Sequence, residues 1–194
     1  MPFLSSPTLT QAEQRALLQA TAGHPRDHLV LSVALGTGLR LGEIVGLNVG
    51  DLFFDNGTPR TRVRLRAEIA KGGRAGDVFV PDALVAKLAH FWLYKQAHHE
   101  RLDPSAPLFC NQGRRRISRR RAQVLFRAWQ VVAGFSRLYP FHVARHSSIT
   151  AVYCATRDLF LAQRFARHAS PLTTTVYIYP SDEEMFERLR GMEC

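Results

Sequence analysis

Cysteine is scarce in this 194-residue chain, and its three copies, Cys110, Cys154 and Cys194, lie far apart without a C-x-x-C pair. An odd and scattered set supports neither a disulfide framework nor a zinc ribbon, so we expect reduced, incidental thiols. Long apolar runs are also lacking: none could span a bilayer, and the first residues, MPFLSSPTLT, have neither the basic start nor the apolar stretch of a signal peptide. We therefore expect a cytoplasmic protein with no membrane partner.

Lysine is the second scarce residue: the chain has 3 Lys against 23 Arg, and its formal net charge is +10 with a pI near 10.4. Codon bias in a GC-rich genome explains the ratio of Arg to Lys adequately, although it makes each remaining lysine of interest. A chain this basic repels itself unless the charge serves association with a polyanion. Nucleic acid is therefore the leading candidate partner.

The chain has no internal repeat or low-complexity segment, and 46% hydrophobic residues suffice for one compact domain. A capping box, Thr10 followed by Glu13, opens a first helix, and residues 26–37 predict a second, buried one. More helices are expected over GLRLGEIVGL, DALVAKLAHFWLYKQA, SRRRAQVLFRAWQVVAGF (with Ser118 as N-cap) and several short segments after it. Between them, DLFFD, TRVRLRAEI and GDVFVP predict a three-stranded antiparallel meander, with AKGGRAG as the tight turn between its last two strands. The expected fold class is α+β, mainly α-helical.

Four places in the chain carry groups suited to a phosphodiester. They are Arg40, Lys71, the set His142, Arg145 and His168, and the tyrosines Tyr177 and Tyr179. Each has an ordinary explanation when taken alone, since Arg40 could simply pair with Glu43 one turn later, and a lysine in a turn is usually a solvated charge. The spacing H-x-x-R is weak by itself, because it occurs again at His98 and Arg101.

The ordered combination is more specific than its parts. An Arg, a Lys in a β-turn, H-x-x-R at a helix start, a His and a Tyr nine residues later resemble the catalytic domain of the tyrosine recombinase (phage integrase) family. The resemblance runs from Leu9 to Tyr177 and includes LTQAE, TGLRLGEIVGL, AKGG, PLF at 107–109 and PFHVARHSSIT. It implies a DNA breaking-rejoining fold with a small three-stranded antiparallel sheet, a tail at 1–8, a catalytic domain at 9–180 and a C-terminal tail helix at 181–194.

Phosphoryl exchange needs the residue types found at these positions. Charge spreads over the non-bridging oxygens in the transition state, and the guanidinium groups of Arg40 and Arg145 can each donate bidentate hydrogen bonds to them. A tyrosine hydroxyl, with a pKa of about 10, needs a base, for which His142 is the candidate. His168 is then a second hydrogen-bond donor to the phosphate. The leaving 5′-oxygen needs a proton, which Lys71 can give and an arginine cannot, and the resemblance assigns Lys71 the same role.

Two tyrosines compete for the role of nucleophile. The spacing from His168 in the family pattern selects Tyr177, and Pro180 directly after Tyr179 ends the helix there, so Tyr179 is expected to be a packing residue. Two further side chains are expected to support the site without touching the phosphate. Glu43 is expected to orient the part of the site that holds Arg40 or His168. His146 is expected to support the active-site helix.

The chain departs from the family pattern in two ways. The family usually has Leu-Gly before the second His, whereas here Ala166 and Arg167 stand there, so a bulky cation replaces a glycine. The second departure is that we expect no helical DNA-clamping domain ahead of residue 9. In length the chain resembles the short fimbrial-phase invertases, which consist of a catalytic domain alone, and a truncated relic or a regulator is the alternative.

Arginines are concentrated in RRRISRRRAQVLFRAW. Six of them are expected to contact DNA phosphates along a groove, without reading sequence: Arg114, Arg115, Arg116, Arg119, Arg120 and Arg121. The alternative is a solvated basic face. GTGLRLG is not expected to bind a nucleotide, because it follows a helical pattern, and no carboxylate or Cys stands at ligand spacing to complete a metal site with His142, His146 and His168.

The resulting hypothesis is a bacterial, nucleoid-associated recombinase that cleaves and rejoins double-stranded DNA through a 3′-phosphotyrosyl intermediate at Tyr177. No metal or nucleotide cofactor is expected, because the covalent bond conserves the energy of the broken ester. Recombination requires two protomers per site and a tetramer at synapsis, with a monomer in the absence of DNA and the tail at 181–194 packing onto a neighbour. Two alternatives remain open: relaxation of DNA in the manner of a type IB topoisomerase, and a non-catalytic DNA-binding regulator.

Overall fold

The computed structural model describes residues 7–73, 75–170, 172–175 and 190. Within them the chain forms short and medium helices and a two-stranded sheet. In chain order these elements are α1 Gln11–Ala20, α2 Pro25–Thr37, α3 Leu41–Gly46, α4 Val49–Leu52, β1 Arg62–Arg64, β2 Asp77–Phe79, α5 Asp82–Ala97, α6 Arg119–Val132, α7 His142–Thr156, α8 Leu159–Ala166 and α9 Leu172–Thr175. The mainly helical α+β class predicted from the sequence is confirmed.

The second helix is the centre of the core. Its sequence is apolar on nearly every side, and it packs against α5 and α7, with α1 and α3 at its flanks. A helix that is apolar all round is stable only when it is covered on most sides. Leu29, Val33 and Ala34 of α2 are accordingly buried, together with Leu88 of α5 and Ile149 of α7. In the described part of the chain, no helix combines the length and apolarity needed to cross a membrane.

Local capping signals place two helix starts where the sequence predicts them. The Thr10 hydroxyl accepts a hydrogen bond from the Glu13 amide at 3.1 Å, and the Glu13 carboxylate accepts one from the Thr10 amide at 2.7 Å. The Ser118 hydroxyl accepts from the Arg121 amide at 3.1 Å and begins α6. These bonds satisfy amides that the helix itself leaves unpaired.

The sheet differs from the predicted meander. The described residues pair only β1 with β2, antiparallel, with Arg62 opposite Phe79 and Arg64 opposite Asp77. Only Asp51 and Leu52 of the run DLFFD, predicted as the first strand, are in regular structure, and they end α4, where the Asp51 carboxylate accepts from the Asn48 amide at 2.8 Å and caps the helical turn. Only a single bridge follows, between Phe53 and Pro59.

The connection between the two strands is longer than the predicted tight turn and occupies residues 65–76. Its start is fixed to the helical body, since the Arg66 guanidinium donates to Asp51 at 2.9 Å and to the Gly46 carbonyl at 2.9 Å. Its far end is a 3₁₀ turn, Lys71–Gly73, in which Gly72 has a φ of 70°. A left-handed backbone of this kind suits glycine, and the turn is exposed.

Candidate active site

Arg145 of α7 is buried at the point where α2 and α8 end. One side-chain nitrogen, Nη1, donates to the carbonyl of Gly38, the C-cap of α2. The other, Nη2, donates to the carbonyl of Ala166, the last residue of α8, at 2.5 Å. Because helix C-termini carry unpaired carbonyls and a partial negative charge, they hold a guanidinium in one orientation.

His168 lies against that guanidinium. Its Nε2 is 3.2 Å from Nη2 of Arg145, and its Nδ1 is 2.9 Å from the hydroxyl of Thr174 in α9. An arginine can only donate, so Nε2 accepts and the neutral ring carries its proton on Nδ1, facing Thr174. Burial, followed by the charges of Arg145, Arg40 and Arg167, lowers the pKa of His168 to about 4. His168 is therefore neutral at pH 7.

Arg40 enters the same neighbourhood from the start of α3. Its backbone amide donates to Oε2 of Glu43 at 2.8 Å, and its Nη1 donates to Oε1 of Glu43 at 3.2 Å. The Glu43 side chain is only 3% exposed, whereas that of Arg40 is 29% exposed. The i,i+3 ion pair between Arg40 and Glu43 that the sequence suggested is thus present. It belongs to a group of side chains, Arg40, Glu43, Arg145, Arg167 and His168, which we call the arginine cluster.

Arg167, which replaces the glycine of the family pattern, also lies in this cluster. Its backbone is left-handed, with a φ of 54° at the C-cap of α8, which explains why a glycine is usual there. Its Nη2 donates to Oε2 of Glu43 at 2.7 Å. Its stem crosses Gly76 so closely that a Cβ at Gly76 would lie 2.9 Å from Cδ of Arg167. The sequence shows only that a bulky cation replaces a glycine at 167, and this departure from the pattern was the signal that could have placed Arg167 in the site.

The two histidines of HVARH differ in exposure. His142, the first residue of α7, is exposed, and its ring centroid lies 5.1 Å from that of His146. Burial, then the charges of His142 and Arg145, lowers the pKa of His146 to about 4. The exposed ring of His142 is the one that solvent and a substrate can reach.

The three lysines differ in burial and in hydrogen bonding, which bears on the role of proton donor predicted for Lys71. Lys95 is fully buried, with its Nζ donating to Glu100 at 2.5 Å and to the Leu108 carbonyl at 3.2 Å. Lys87 is half-buried and donates to Ser32 at 3.0 Å. Lys71 is exposed and has no hydrogen bond or ion pair to any other described residue. The structure therefore does not bring its ammonium into contact with Arg40, Arg145 or His168.

The nucleophile predicted from the sequence, Tyr177, lies outside the described residues. The same holds for its competitor Tyr179 and for the tail at 181–194, apart from Arg190. These assignments therefore stay predictions.

The six arginines predicted to contact DNA are not equivalent. Arg116 is half-buried, and its guanidinium donates to the carbonyls of Val45 at 2.9 Å and Leu47 at 2.7 Å and to the side chain of Asn48 at 2.5 Å. It holds the end of α3, so the predicted phosphate contact is not supported for this residue. Arg119 lies over Gly42, where a Cβ would be 2.7 Å from its Nη2. The others, Arg114, Arg115, Arg120 and Arg121, are exposed like Arg119.

Metal ligands are not clustered in the part of the chain that is described: it contains no group of three or more His, Cys, Asp or Glu side chains able to hold an ion. The polar groups that do converge are instead three guanidiniums, one carboxylate and one neutral imidazole, contributed by α3, α7 and the end of α8. Such a set suits an anion with several oxygens.

Three solved structures have the same fold. The crystal structure of XerA recombinase aligns with a TM-score of 0.79 at 21% identity, covering 100% of this chain and 66% of that one. XerH site-specific recombinase bound to palindromic difH substrate, in a post-cleavage complex, aligns with a TM-score of 0.76 at 22% identity, covering 96% of this chain and 53% of that one. A lambda integrase dimer bound to a COC′ core site gives 0.67 at 19% identity, covering 96% and 49%.

Curated relatives match over the same region. Tyrosine recombinase XerC of Proteus mirabilis is 29% identical over 154 residues, which cover 79% of this chain and 47% of that protein. XerC of Yersinia pestis is 32% identical over 154 residues, 79% of this chain and 48% of that protein. The chain thus spans about half the length of the curated relatives that it matches. The model of the phage integrase family matches residues 7–184, and the chain belongs to that family.

Proposed function

We propose that this chain is the catalytic part of a site-specific recombinase that cleaves and rejoins double-stranded DNA through a 3′-phosphotyrosyl intermediate at Tyr177. The observation that carries the proposal is the convergence of Arg40, Arg145 and His168: Arg40 pairs with Glu43, which also binds Arg167, and His168, the residue after Arg167, lies 3.2 Å from Arg145. The names of its relatives support the same activity, since the matched proteins are called tyrosine recombinases and integrases.

The arginines bind and orient the scissile phosphate. Arg145 is held in place by two backbone carbonyls before any DNA is present, and Arg40 keeps donors that Glu43 does not use. Preorganised donors of this kind stabilise the charge that develops on the non-bridging oxygens without reorganising during the reaction. His168, whose Nε2 accepts from Arg145, helps to hold that guanidinium in place, and its donation to the phosphate stays a prediction from the sequence.

The covalent step exchanges one ester for another. Oη of Tyr177 attacks phosphorus and gives its proton to His142, and a P–O bond to Tyr177 forms as the P–O5′ bond breaks. Lys71 protonates the departing 5′-oxygen. The reverse reaction, with the 5′-hydroxyl of another strand as the nucleophile, releases Tyr177 and rejoins DNA, so no external energy source is consumed.

Assembly and location follow from the same proposal. The XerH structures contain difH substrate and the lambda integrase structure is a dimer on DNA, which supports duplex DNA as the partner of this chain as well. Exchange between two duplexes requires two protomers per site and four at synapsis. The tail at 181–194 is the proposed contact between neighbours, residues 9–180 form the catalytic unit, and the bacterial nucleoid is the proposed location.

A plasmid assay distinguishes this function from its alternatives. A supercoiled plasmid carries two copies of the DNA that flanks the gene of this chain, and the products are separated after incubation with the purified protein. Recombinant circles are the expected product. Relaxed plasmid without recombinants would indicate topoisomerase-like activity instead. Salt-sensitive binding without either product, alongside an active relative as control, would indicate a non-catalytic DNA-binding protein.

A further inference from the structure

We propose that Arg167 is a positioning residue of the phosphate site: it neutralises Glu43, so that Arg40 and Arg145 present their full charge to the scissile phosphate. This inference rests on the proposed function for its substrate. Arg167 acts through Glu43 and does not itself touch the reacting atoms.

The geometry of the Glu43 carboxylate carries the first step. The side chain is 3% exposed, so its charge is poorly solvated and needs cationic partners close by. Oε2 accepts from Arg167 at 2.7 Å, whereas Oε1 accepts from Arg40 at the longer distance of 3.2 Å. Arg167 is therefore the closer ion-pair partner, and Arg40 commits only Nη1 to the pair.

Charge balance gives the second step. The cluster contains the cations Arg40, Arg145 and Arg167 and the anion Glu43, while His168 is neutral. With Arg167 in place, the Glu43 charge is cancelled and the two arginines beside the phosphate are left in excess. Without it, Glu43 would cancel much of the charge of Arg40. A glycine at 167, as in the family pattern, cannot supply this compensation.

The cost of Arg167 supports a role beyond packing. Its left-handed backbone is strained for any residue with a Cβ, and burial lowers the pKa of its guanidinium, which means that the charged form is partly desolvated. Its stem fits only because Gly76 has no side chain. A glycine at 167 would avoid both the backbone strain and the desolvation of the guanidinium. An arginine that is held at both ends, by Gly76 and by Glu43, is consistent with a function that depends on its charge.

The test uses four variants of the full chain. Arg167→Gln removes the charge, Arg167→Lys restores it, and Arg167→Gly restores the unstrained backbone without the charge. Arg164→Gln, an exposed arginine on the same helix, is the matched control. Two readouts are taken: the affinity for inorganic phosphate, followed by NMR of the His168 ring, and the rate of covalent adduct formation with a nicked DNA substrate.

The expected result is a selective effect of charge. Arg167→Gln and Arg167→Gly should each weaken phosphate binding by about 5- to 10-fold and slow adduct formation by about 10-fold, because the charge of Glu43 is then left to oppose that of Arg40. Arg167→Lys should stay within about 3-fold of the wild type, and Arg164→Gln within about 2-fold. On DNA whose scissile phosphate is replaced by a neutral methylphosphonate, the Arg167→Gln defect should shrink to about 2-fold. A merely structural defect would persist on that substrate.

The outcomes separate this inference from the proposed function. If the wild type forms adduct while the folded Arg167→Gly variant binds phosphate and reacts like it, the inference is overturned and the recombinase stands. If no variant forms adduct but loss of charge at 167 still weakens phosphate binding, the inference stands and the recombinase proposal fails. A defect of equal size on methylphosphonate DNA also overturns the inference, because it shows that charge is not the cause.

Discussion

Arg145 and Lys71 have different roles in the proposed chemistry, and they also differ in burial. Arg145 is 7% exposed, and the last carbonyls of two helices fix its guanidinium. Lys71 is exposed in a glycine-containing turn of the connection between the two strands. The group proposed to stabilise charge is thus held by the fold itself, whereas the proposed proton donor is exposed and has no hydrogen bond or ion pair to another described residue.

The difference has a chemical reason. Stabilising charge in a transition state requires dipoles and cations that do not reorganise, and a buried arginine fixed by two carbonyls fits the role proposed for Arg145. Proton transfer needs an ammonium that can approach the leaving oxygen, and a hydrated, mobile side chain can do so from a surface turn. Changes in the two regions should therefore affect stability and cleavage in different proportions.

Arg145→Ala should have the largest effect, and it should damage both fold and reaction. It leaves the carbonyls of Gly38 and Ala166 buried without their donor, which should lower the free energy of unfolding by about 2–4 kcal/mol. Loss of a preorganised charge should slow cleavage by at least about 10²- to 10³-fold. Urea denaturation and adduct kinetics measure the two quantities, with Arg15→Ala on α1 as an exposed control. An unchanged free energy of unfolding would show that the hydrogen bonds from Arg145 to the carbonyls of Gly38 and Ala166 do not stabilise the fold.

Lys71→Ala should affect the reaction alone. Cleavage should slow by about 10²-fold, the usual range for loss of a general acid, with DNA binding nearly intact and the melting temperature unchanged. A substrate with sulfur at the 5′-bridging position should restore the rate, because a thiolate leaves without protonation. If sulfur gives no rescue, Lys71 is not the proton donor.

Arg116 and Arg120 repeat the comparison within one arginine-rich segment. Arg116→Gln should lower the free energy of unfolding by about 1–3 kcal/mol, since it leaves the carbonyls at the end of α3 unpaired. Arg120→Gln should leave stability unchanged and reduce the slope of log K against log salt for DNA binding by about 1. If Arg116→Gln instead reduced the salt slope at full stability, the structural assignment of this residue would be wrong.

Lowering the pH should reduce the free energy of unfolding by a smaller, graded amount. The pKa of His168 is about 4 in the fold, below the ordinary value of 6.5, so the folded state binds fewer protons than the unfolded chain between these values. The stabilisation is complete above pH 6.5 and is lost as the pH falls towards 4. His146 contributes in the same direction. Unfolding at a series of pH values should show this slope, and His168→Gln should flatten it. An equal slope in that variant would assign the effect to other groups.

Sequence reasoning succeeded where the signal is local or where spacing is tied to chemistry. Thr10 and Ser118 cap helices through bonds that span three residues, so neighbouring positions determine them. The prediction for DLFFD was wrong because the Asp51 cap on Asn48 outweighed the apolar run. Arg116 and Arg167 could not be placed, because their partners lie more than 60 residues away and only the packing of helices brings them together. The ordered spacing of Arg40, Arg145 and His168 was informative because it is tied to the proposed chemistry, and the fold does bring these residues into one cluster.

The most direct test of the central claim is to identify the residue that becomes linked to DNA. The purified protein is incubated with nicked substrates drawn from the DNA flanking its gene, so that the released fragment diffuses away, and denaturation-resistant adducts are digested and sequenced by mass spectrometry. We expect an adduct between Tyr177 and the 3′-phosphate of DNA, absent from Tyr177→Phe and retained in Tyr179→Phe. An adduct that persists in Tyr177→Phe, or DNA binding with no adduct while an active relative reacts, would contradict it.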